Sequence, residues 1–384
     1  MVNTQSAETM PGCLFTTLAP AMLTDVRLPN GQEERGIIGG PGVFSMLGAR
    51  IAAGHTNSKT IGASFTVGID LMADQQGDLS TQLLALGRDW GTPLITKVVN
   101  DMFASREVVD YQYDFLTRKV TLPAEVPAST NPTDLAGTPM LYAHSIHTCD
   151  EPRVAARRRE AIMAVRGLEV TFASPEHEFR PTAPAPIMVW EPNPAFCNRS
   201  QLQAHKDACK SVDVFSPCWT DLAAMINGGS GSVPNRVEIE ALAFVFLKSG
   251  IGKKTADGRH QGAIVVRMGQ YGCFVGKQML GDKDGFESMW LPAFYSDGSE
   301  EVVDPTGAGS AFLGAMAWLM ATGKDVFRAA ETASVVASFV VEQVGAPGHA
   351  PLPKGAEMIN GKELEEKAEV YNKKFFAWKG PFIG

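Results

Sequence analysis

The segment that most restricts what this chain can become is Val302-Val303-Asp304-Pro305-Thr306-Gly307-Ala308-Gly309-Ser310-Ala311-Phe312. An apolar strand end runs into two glycines flanking an alanine, then into a long stretch of small and apolar residues up to Ala321. Small residues let a ligand come close to the backbone. The first amides of a helix have no intrahelical partner and sit at its positive end, so this turn is built to receive an anion, such as a phosphoryl group in transfer. Gly-rich strand-to-helix turns also occur for structural reasons alone. It is the full string, and not the Gly-Ala-Gly within it, that points to a ligand.

Along the chain, short apolar runs alternate with helical patterns, which predicts a largely parallel sheet covered by helices. Strands are expected at Cys13–Ala19, Ser64–Ile69, Pro93–Val99, Met140–Ser145, Ile187–Glu191, Val212–Ser216 and Ala263–Met268. Helices are expected at Gly42–Ala53, Leu79–Gly87, Arg153–Val165, Gln201–Lys210, Asn235–Lys248, Gly307–Ala321 and Val326–Val344. Two stretches read differently. Met22–Arg35 is turn-rich and polar, and Lys97–Val126 spaces Tyr111, Tyr113, Phe115, Leu116 and Val120 among charges, an antiparallel pattern with one apolar face. A small β-lid made from about residues 20–36 and 97–126, on one α/β domain spanning 1–384, accounts for both. Gly252-Lys253 lacks the upstream glycine of a phosphate-binding loop and reads as part of a surface loop.

Composition excludes several classes. With 45% apolar residues and a net charge of −8, the chain has a core's worth of apolar material and is not disordered. Its 34 basic residues against 42 acidic ones argue against a nucleic-acid partner, and Arg157-Arg158-Arg159, followed by Glu160, reads as a solvated helix face. The longest uninterrupted apolar run, Ala241–Leu247, is too short to cross a bilayer. MVNTQSAETMPG at the start has neither the basic nor the apolar region of a secretory signal. The six cysteines form no CxxC, and His205 with Cys209 has no second close pair, so zinc is not expected. Reduced thiols in a cytoplasmic protein are the expectation.

The Val302–Phe312 string resembles the C-terminal signature of the ribokinase-like (PfkB) carbohydrate kinase family. Gly39-Gly40-Pro41-Gly42-Val43-Phe44 resembles its N-terminal Gly-Gly signature. Ile264-Val265-Val266-Arg267-Met268-Gly269-Gln270-Tyr271-Gly272 resembles the strand and glycine turn that lie along the nucleotide, and Gly345-Ala346 after a long helix also fits. Trp190-Glu191-Pro192-Asn193-Pro194 looks more like a fungal subgroup of the family than like sugar kinases proper. The resemblance implies a ribokinase-like three-layer α/β/α sandwich with a small β-lid. It also implies ATP near Gly307, Ala308 and Gly309, a nucleotide edge including Arg267, Gly269, Gly272 and Thr306, and a small hydroxylated substrate beside Asp25, Gly39 and Gly40.

Three departures restrict what carries over. After Gly-Ala-Gly the family has an Asp that takes the proton from the attacking hydroxyl; here stands Ser310. A serine hydroxyl has no useful basicity near neutral pH, and losing a positioned base costs ~10²–10⁴ in rate, about 3–5 kcal/mol of barrier. Asp304, six residues earlier, falls where the family's acidic residue is mainly structural. Second, the family's Asn-x-x-Glu, which helps organise magnesium, corresponds in chain order to Cys218-Trp219-Thr220-Asp221, with a thiol in place of the amide. Third, Phe44 stands where sugar kinases place a substrate-binding Asn, which suggests a more apolar or aromatic ligand, or else a plain core residue.

His144 and His147 are expected near the end of a strand whose C-terminal edge faces the cleft, as acid–base groups or as satisfied core histidines. Glu191 ends the next apolar strand and would matter as a free carboxylate; Arg106 in the lid segment reads as an anion holder or a solvated charge. Three functions follow: a repurposed enzyme acting on a small metabolite without orthodox phosphoryl transfer, an ATP-dependent kinase of a sugar, nucleoside or related alcohol, and a non-catalytic nucleotide- or metabolite-binding pseudokinase. A homodimer through the exposed lid edge is a further expectation.

Overall fold

The computed structural model describes residues 12–69, 79–111, 119–121, 129–172, 184–229, 233, 235–254, 261–279, 285–353 and 356–378. Its strands are β1 (Phe15–Thr17), β2 (Met22–Arg27), β3 (Glu33–Gly39), β4 (Ile61–Ile69), β5 (Leu94–Phe103), β6 (Arg106–Asp110), β7 (Lys119–Thr121), β8 (Ser145–Asp150), β9 (Ile187–Pro192), β10 (Val214–Phe215), β11 (Ala263–Arg267), β12 (Cys273–Gln278), β13 (Phe286–Leu291), β14 (His349–Pro351) and β15 (Glu357–Ile359). Its helices are α1 (Pro41–Ala53), α2 (Leu79–Asp89), α3 (Pro152–Phe172), α4 (Leu202–Cys209), α5 (Trp219–Asn227), α6 (Arg236–Ser249), α7 (Ala308–Ala321), α8 (Val326–Val340) and α9 (Leu364–Ala377).

A nine-stranded sheet runs in the order β13-β12-β11-β10-β9-β8-β1-β4-β5. Its strands pair in parallel from β5 to β11, and β12 and β13 add an antiparallel edge. The alternation along β11 shows the layers. Ala263 and Val265 join the core under α1, α7 and α8, whereas Ile264 and Val266 join the core under α3 to α6. A strand buried on both faces reads as a continuous apolar run, as β11 does. The result is the expected three-layer α/β/α sandwich.

The small-residue character of α7 has a packing consequence. A Cβ at Gly314 would overlap the Ser45 carbonyl, and one at Gly48 would overlap the Ala311 carbonyl. The α1 and α7 backbones therefore touch, which fixes both glycine-turn helix starts relative to each other. Among the described residues, no helix is long and apolar enough to cross a membrane.

A second sheet, in the order β3-β2-β6-β7, is built from the stretch that read as turn-rich and polar together with the one that read as antiparallel. Its second segment starts at Arg106 and not near residue 97, because Leu94–Phe103 is paired with β4 in the large sheet. Tyr113, Phe115, Leu116 and Val126 lie outside the described residues. The inner face carries Val26, Leu28, Val109 and Tyr111, packed with Ile37 and Val344.

Other expectations are corrected. The strand expected at Met140–Ser145 begins only at Ser145, after a 3₁₀ turn at Pro139–Tyr142. Four of the six residues of β8 are polar and all six are buried, so an apolar criterion placed the strand too early. The basic run on α3 is not a solvated face. Arg158 chelates Asp150 at 2.7 and 2.9 Å and donates to the Thr130 carbonyl at 2.9 Å, while the buried Arg159 pairs with Asp213; only Arg157 is exposed. Helix α8 stops at Val340, short of Val344.

Candidate functional site

Helix α7 starts at a turn that only glycine allows. Gly307 has φ 80°, and a Cβ there would overlap the Phe44 ring. The turn is braced from behind. The Thr306 amide donates to Asp304 Oδ1 at 2.9 Å, the Tyr111 hydroxyl donates to the same oxygen at 3.0 Å, and Tyr111 and Thr306 hydroxyls lie 2.8 Å apart. Asp304 is thus occupied in shaping the turn and fastening it to the small sheet.

In front of the turn, Ser310 Oγ donates to Glu191 Oε2 at 2.9 Å. Glu191, near the end of β9, also meets His147 Nε2 at 3.2 Å on the same oxygen and Arg267 Nη1 at 2.6 Å on Oε1. A second Arg267 nitrogen donates to the Ser216 carbonyl at 3.0 Å. Because an ionised carboxylate only accepts, His147 carries a proton on Nε2, while its Nδ1 faces Thr17 Oγ1 at 3.2 Å. The Arg267 guanidinium lies against the first turn of α7, where a Cβ at Gly309 would collide with Nη1.

Burial alone would raise the pKa of Glu191, but Arg267, His147 and Ser310 together hold it down to about 2. Such a carboxylate is a poor proton acceptor. Ser310 and His147 both donate to the same carboxylate oxygen, Oε2, so neither serves as the other's proton acceptor and this is not a nucleophile–histidine arrangement. Glu191 is therefore not a free carboxylate.

On the neighbouring helix, Cys218 Sγ donates to Asp221 Oδ2 at 2.8 Å, lies 2.7 Å from Thr220 Oγ1 and accepts the Asp221 amide at 3.4 Å, capping α5. Burial, then the Asp221 charge, pushes the Cys218 thiol up to about 12. A protonated thiol bonded to a lone carboxylate is a poor donor set for magnesium, which prefers oxygen ligands. Among the described residues, no group of three or more His, Cys, Asp and Glu is placed to hold a metal ion.

The remaining expected residues are scattered around this centre. Gly39 and Gly40 enter α1, with a Cβ at Gly39 only 2.6 Å from Thr24 Oγ1. Phe44 is 3% exposed and belongs to the main core, so its ring packs between the two glycine turns. Asp25 Oδ1 accepts from Arg106 at 2.7 Å and from the Gly36 amide at 2.8 Å, which employs both charged residues within the small sheet. Gly269 opens a 3₁₀ turn closed by Gly272, whose φ of 87° fits it against the Leu291 carbonyl. His144 lies at the wrong end of β8. It is five residues before Cys149, the partner of Glu191 in register, roughly 16 Å away at strand spacing.

Sequence reasoning missed Thr17, Thr24, Glu107 and the bracing role of Tyr111. Thr24 donates to the buried Glu107 at 3.0 Å on the inner side of the small sheet. For Glu107 the readable signal was its place in the alternation with Val109 and Tyr111, which marks a carboxyl on the apolar face.

Residues 193–353 match the sequence model of the pfkB family carbohydrate kinase. The fold superposes on ribokinase from Giardia lamblia with a TM-score of 0.63 at 15% identity, covering 95% of this chain and 100% of that one. The fold is ribokinase-like. Ribokinase of Arabidopsis thaliana, solved with ribose and ATP, superposes with a TM-score of 0.57 at 16% identity over 88% of this chain and 95% of that one. In sequence, an uncharacterised protein of Schizosaccharomyces pombe is 26% identical over 367 residues, covering 93% of this chain and 92% of the relative. Within this ribokinase-like fold, Ser310 and Glu191 share the place beside the α7 turn.

Proposed function

We propose that this protein acts on a small metabolite at the α7 turn, without base-assisted phosphoryl transfer. The observation that carries the reading is the Ser310–Glu191 hydrogen bond of 2.9 Å. At the position where a kinase needs a proton acceptor, this chain has a serine, and the carboxylate beside it is held ionised by Arg267 and accepts from His147. The Cys218–Asp221 pair, a protonated thiol bonded to a carboxylate, does not suit magnesium. The chemistry left to these residues is binding and orienting an anionic or hydroxylated ligand and excluding water from it.

A second reading, an ATP-dependent kinase of a sugar, nucleoside or related alcohol, draws support from the intact Gly307 turn and the helix start behind it. Phosphoryl transfer depends mainly on positioning and charge stabilisation, so some rate survives loss of a base. The two readings part in an assay of ADP release with ATP, magnesium and a panel of sugars, nucleosides and simple alcohols. Our reading expects no release above the protein-free rate. Alcohol-dependent ADP release abolished by Gly309→Val, which pushes into Arg267, would establish the kinase instead.

A further inference from the structure

Three donors from three separate elements converge on one carboxylate: Arg267 Nη1 of β11, His147 Nε2 of β8 and Ser310 Oγ in the first turn of α7. They meet at the positive end of a helix, and Gly309 is what lets the guanidinium lie against that end. Arg267 also has a buried Nε without a hydrogen-bond partner, so its donor capacity is not exhausted by Glu191 and Ser216. Convergent charged and neutral donors at a helix start are how proteins hold oxyanions. Here the oxyanion is the protein's own side chain, supplied from a fourth element, β9.

We propose that Arg267, His147 and Ser310 form an oxyanion subsite for the phosphoryl or carboxylate group of a small ligand, and that Glu191 occupies it as an internal stand-in until that group displaces it. The inference rests on the reading that this turn serves a small ligand, and adds that the ligand carries an oxyanion and that Glu191 sets its affinity. Arg267 supplies the charge. Ser310 is retained as a neutral donor, where an Asp would repel the incoming anion; this gives the Asp-to-Ser exchange a positive role. His147, held by Thr17, keeps its Nε2 proton pointed at the site.

The test is calorimetric titration of the full chain with inorganic pyrophosphate and, separately, with acetate, in wild type and Glu191→Gln. Removing the internal anion is expected to tighten binding of one of the two by at least ~10-fold, the scale of one charge-assisted hydrogen bond. A gain for pyrophosphate assigns a phosphoryl group, and a gain for acetate a carboxylate. Adding Arg267→Met to Glu191→Gln is expected to abolish the gain. No gain for either probe, or a gain that survives Arg267→Met, overturns the proposal. If circular dichroism shows that Glu191→Gln does not fold, Glu191→Asp, which withdraws the carboxylate by one methylene, is expected to show a smaller gain for the same probe, and none overturns the proposal. Alcohol-dependent ADP release by the wild type would defeat the proposed function while leaving a measured gain, and hence the subsite, standing.

Discussion

The Tyr111 hydroxyl donates to Asp304 Oδ1 at 3.0 Å, so a side chain that follows β6 of the small sheet is fastened to the turn from which α7 starts. Tyr111 is fully buried, and the same hydroxyl lies 2.8 Å from Thr306 Oγ1. The small sheet is thereby tied to the turn at Gly307. Tyr111→Phe removes the hydroxyl and keeps the ring. It is expected to cost about 1 kcal/mol in urea denaturation and to speed amide exchange in β2 and β6 more than in β8 and β9.

The α1–α7 contact leaves no room for a side chain. Gly314→Ala places a methyl into the Ser45 carbonyl, backbone against backbone, and the helices must part to admit it. The expected loss is about 3 kcal/mol of stability by the same measurement. A loss below that of Tyr111→Phe would contradict the packing described.

Acid stability is expected to depend on Glu191. Its pKa is lowered in the fold from 4.5 to about 2, so the unfolded chain takes up the proton first as the pH drops. The stabilisation is full above pH 4.5 and is lost as pH falls from there toward 2. Glu191→Gln removes that part of the pH dependence. It also leaves Arg267 buried without its counter-charge, at a cost of about 3–5 kcal/mol at neutral pH. Thermal melting of both proteins from pH 3 to 7 tests this: their difference should shrink toward low pH.

Alkaline stability has the opposite origin. Burial raises the thiols of Cys13, Cys218 and Cys273 from 9.0 to about 12, and pushes Cys149, Cys197 and Cys209 up as well. Unfolded thiols ionise near 9.0 while the folded ones keep their protons, so stability is expected to fall as pH rises through 9. Lys367 works the other way: burial lowers its pKa from 10.5 to about 8, so folding releases its proton between those values. Melting curves from pH 7.5 to 10.5 should show a net decline, steeper in Lys367→Met than in the parent.

The layered fold and the α7 turn were legible because both are written locally. Apolar runs mark β9 and β11, and Gly307, Gly309 and the small residues after them mark a helix start within a few positions. The centre of the site was not legible as a unit. Glu191 meets His147, Arg267 and Ser310 from sequence separations of 44, 76 and 119 residues, and nothing local announces that three donors share one carboxylate. His147 was named as a candidate, but its place within β8 was not readable because that strand is polar: Ser145, Thr148 and Asp150 are buried with it. Arg158 and Arg159 misled for the same reason, since their partners Asp150 and Asp213 lie on other elements.

Glu191 is a bound anion and not a base. Carbon-13 NMR of the Glu191 side-chain carboxyl, assigned by its absence in Glu191→Gln, reads this directly. The expected result is a resonance that stays ionised from pH 9 down to pH 4, consistent with a pKa of about 2. A Glu191 carboxyl titrating between pH 5 and 8 would contradict the account, because it would place a working proton acceptor beside Ser310.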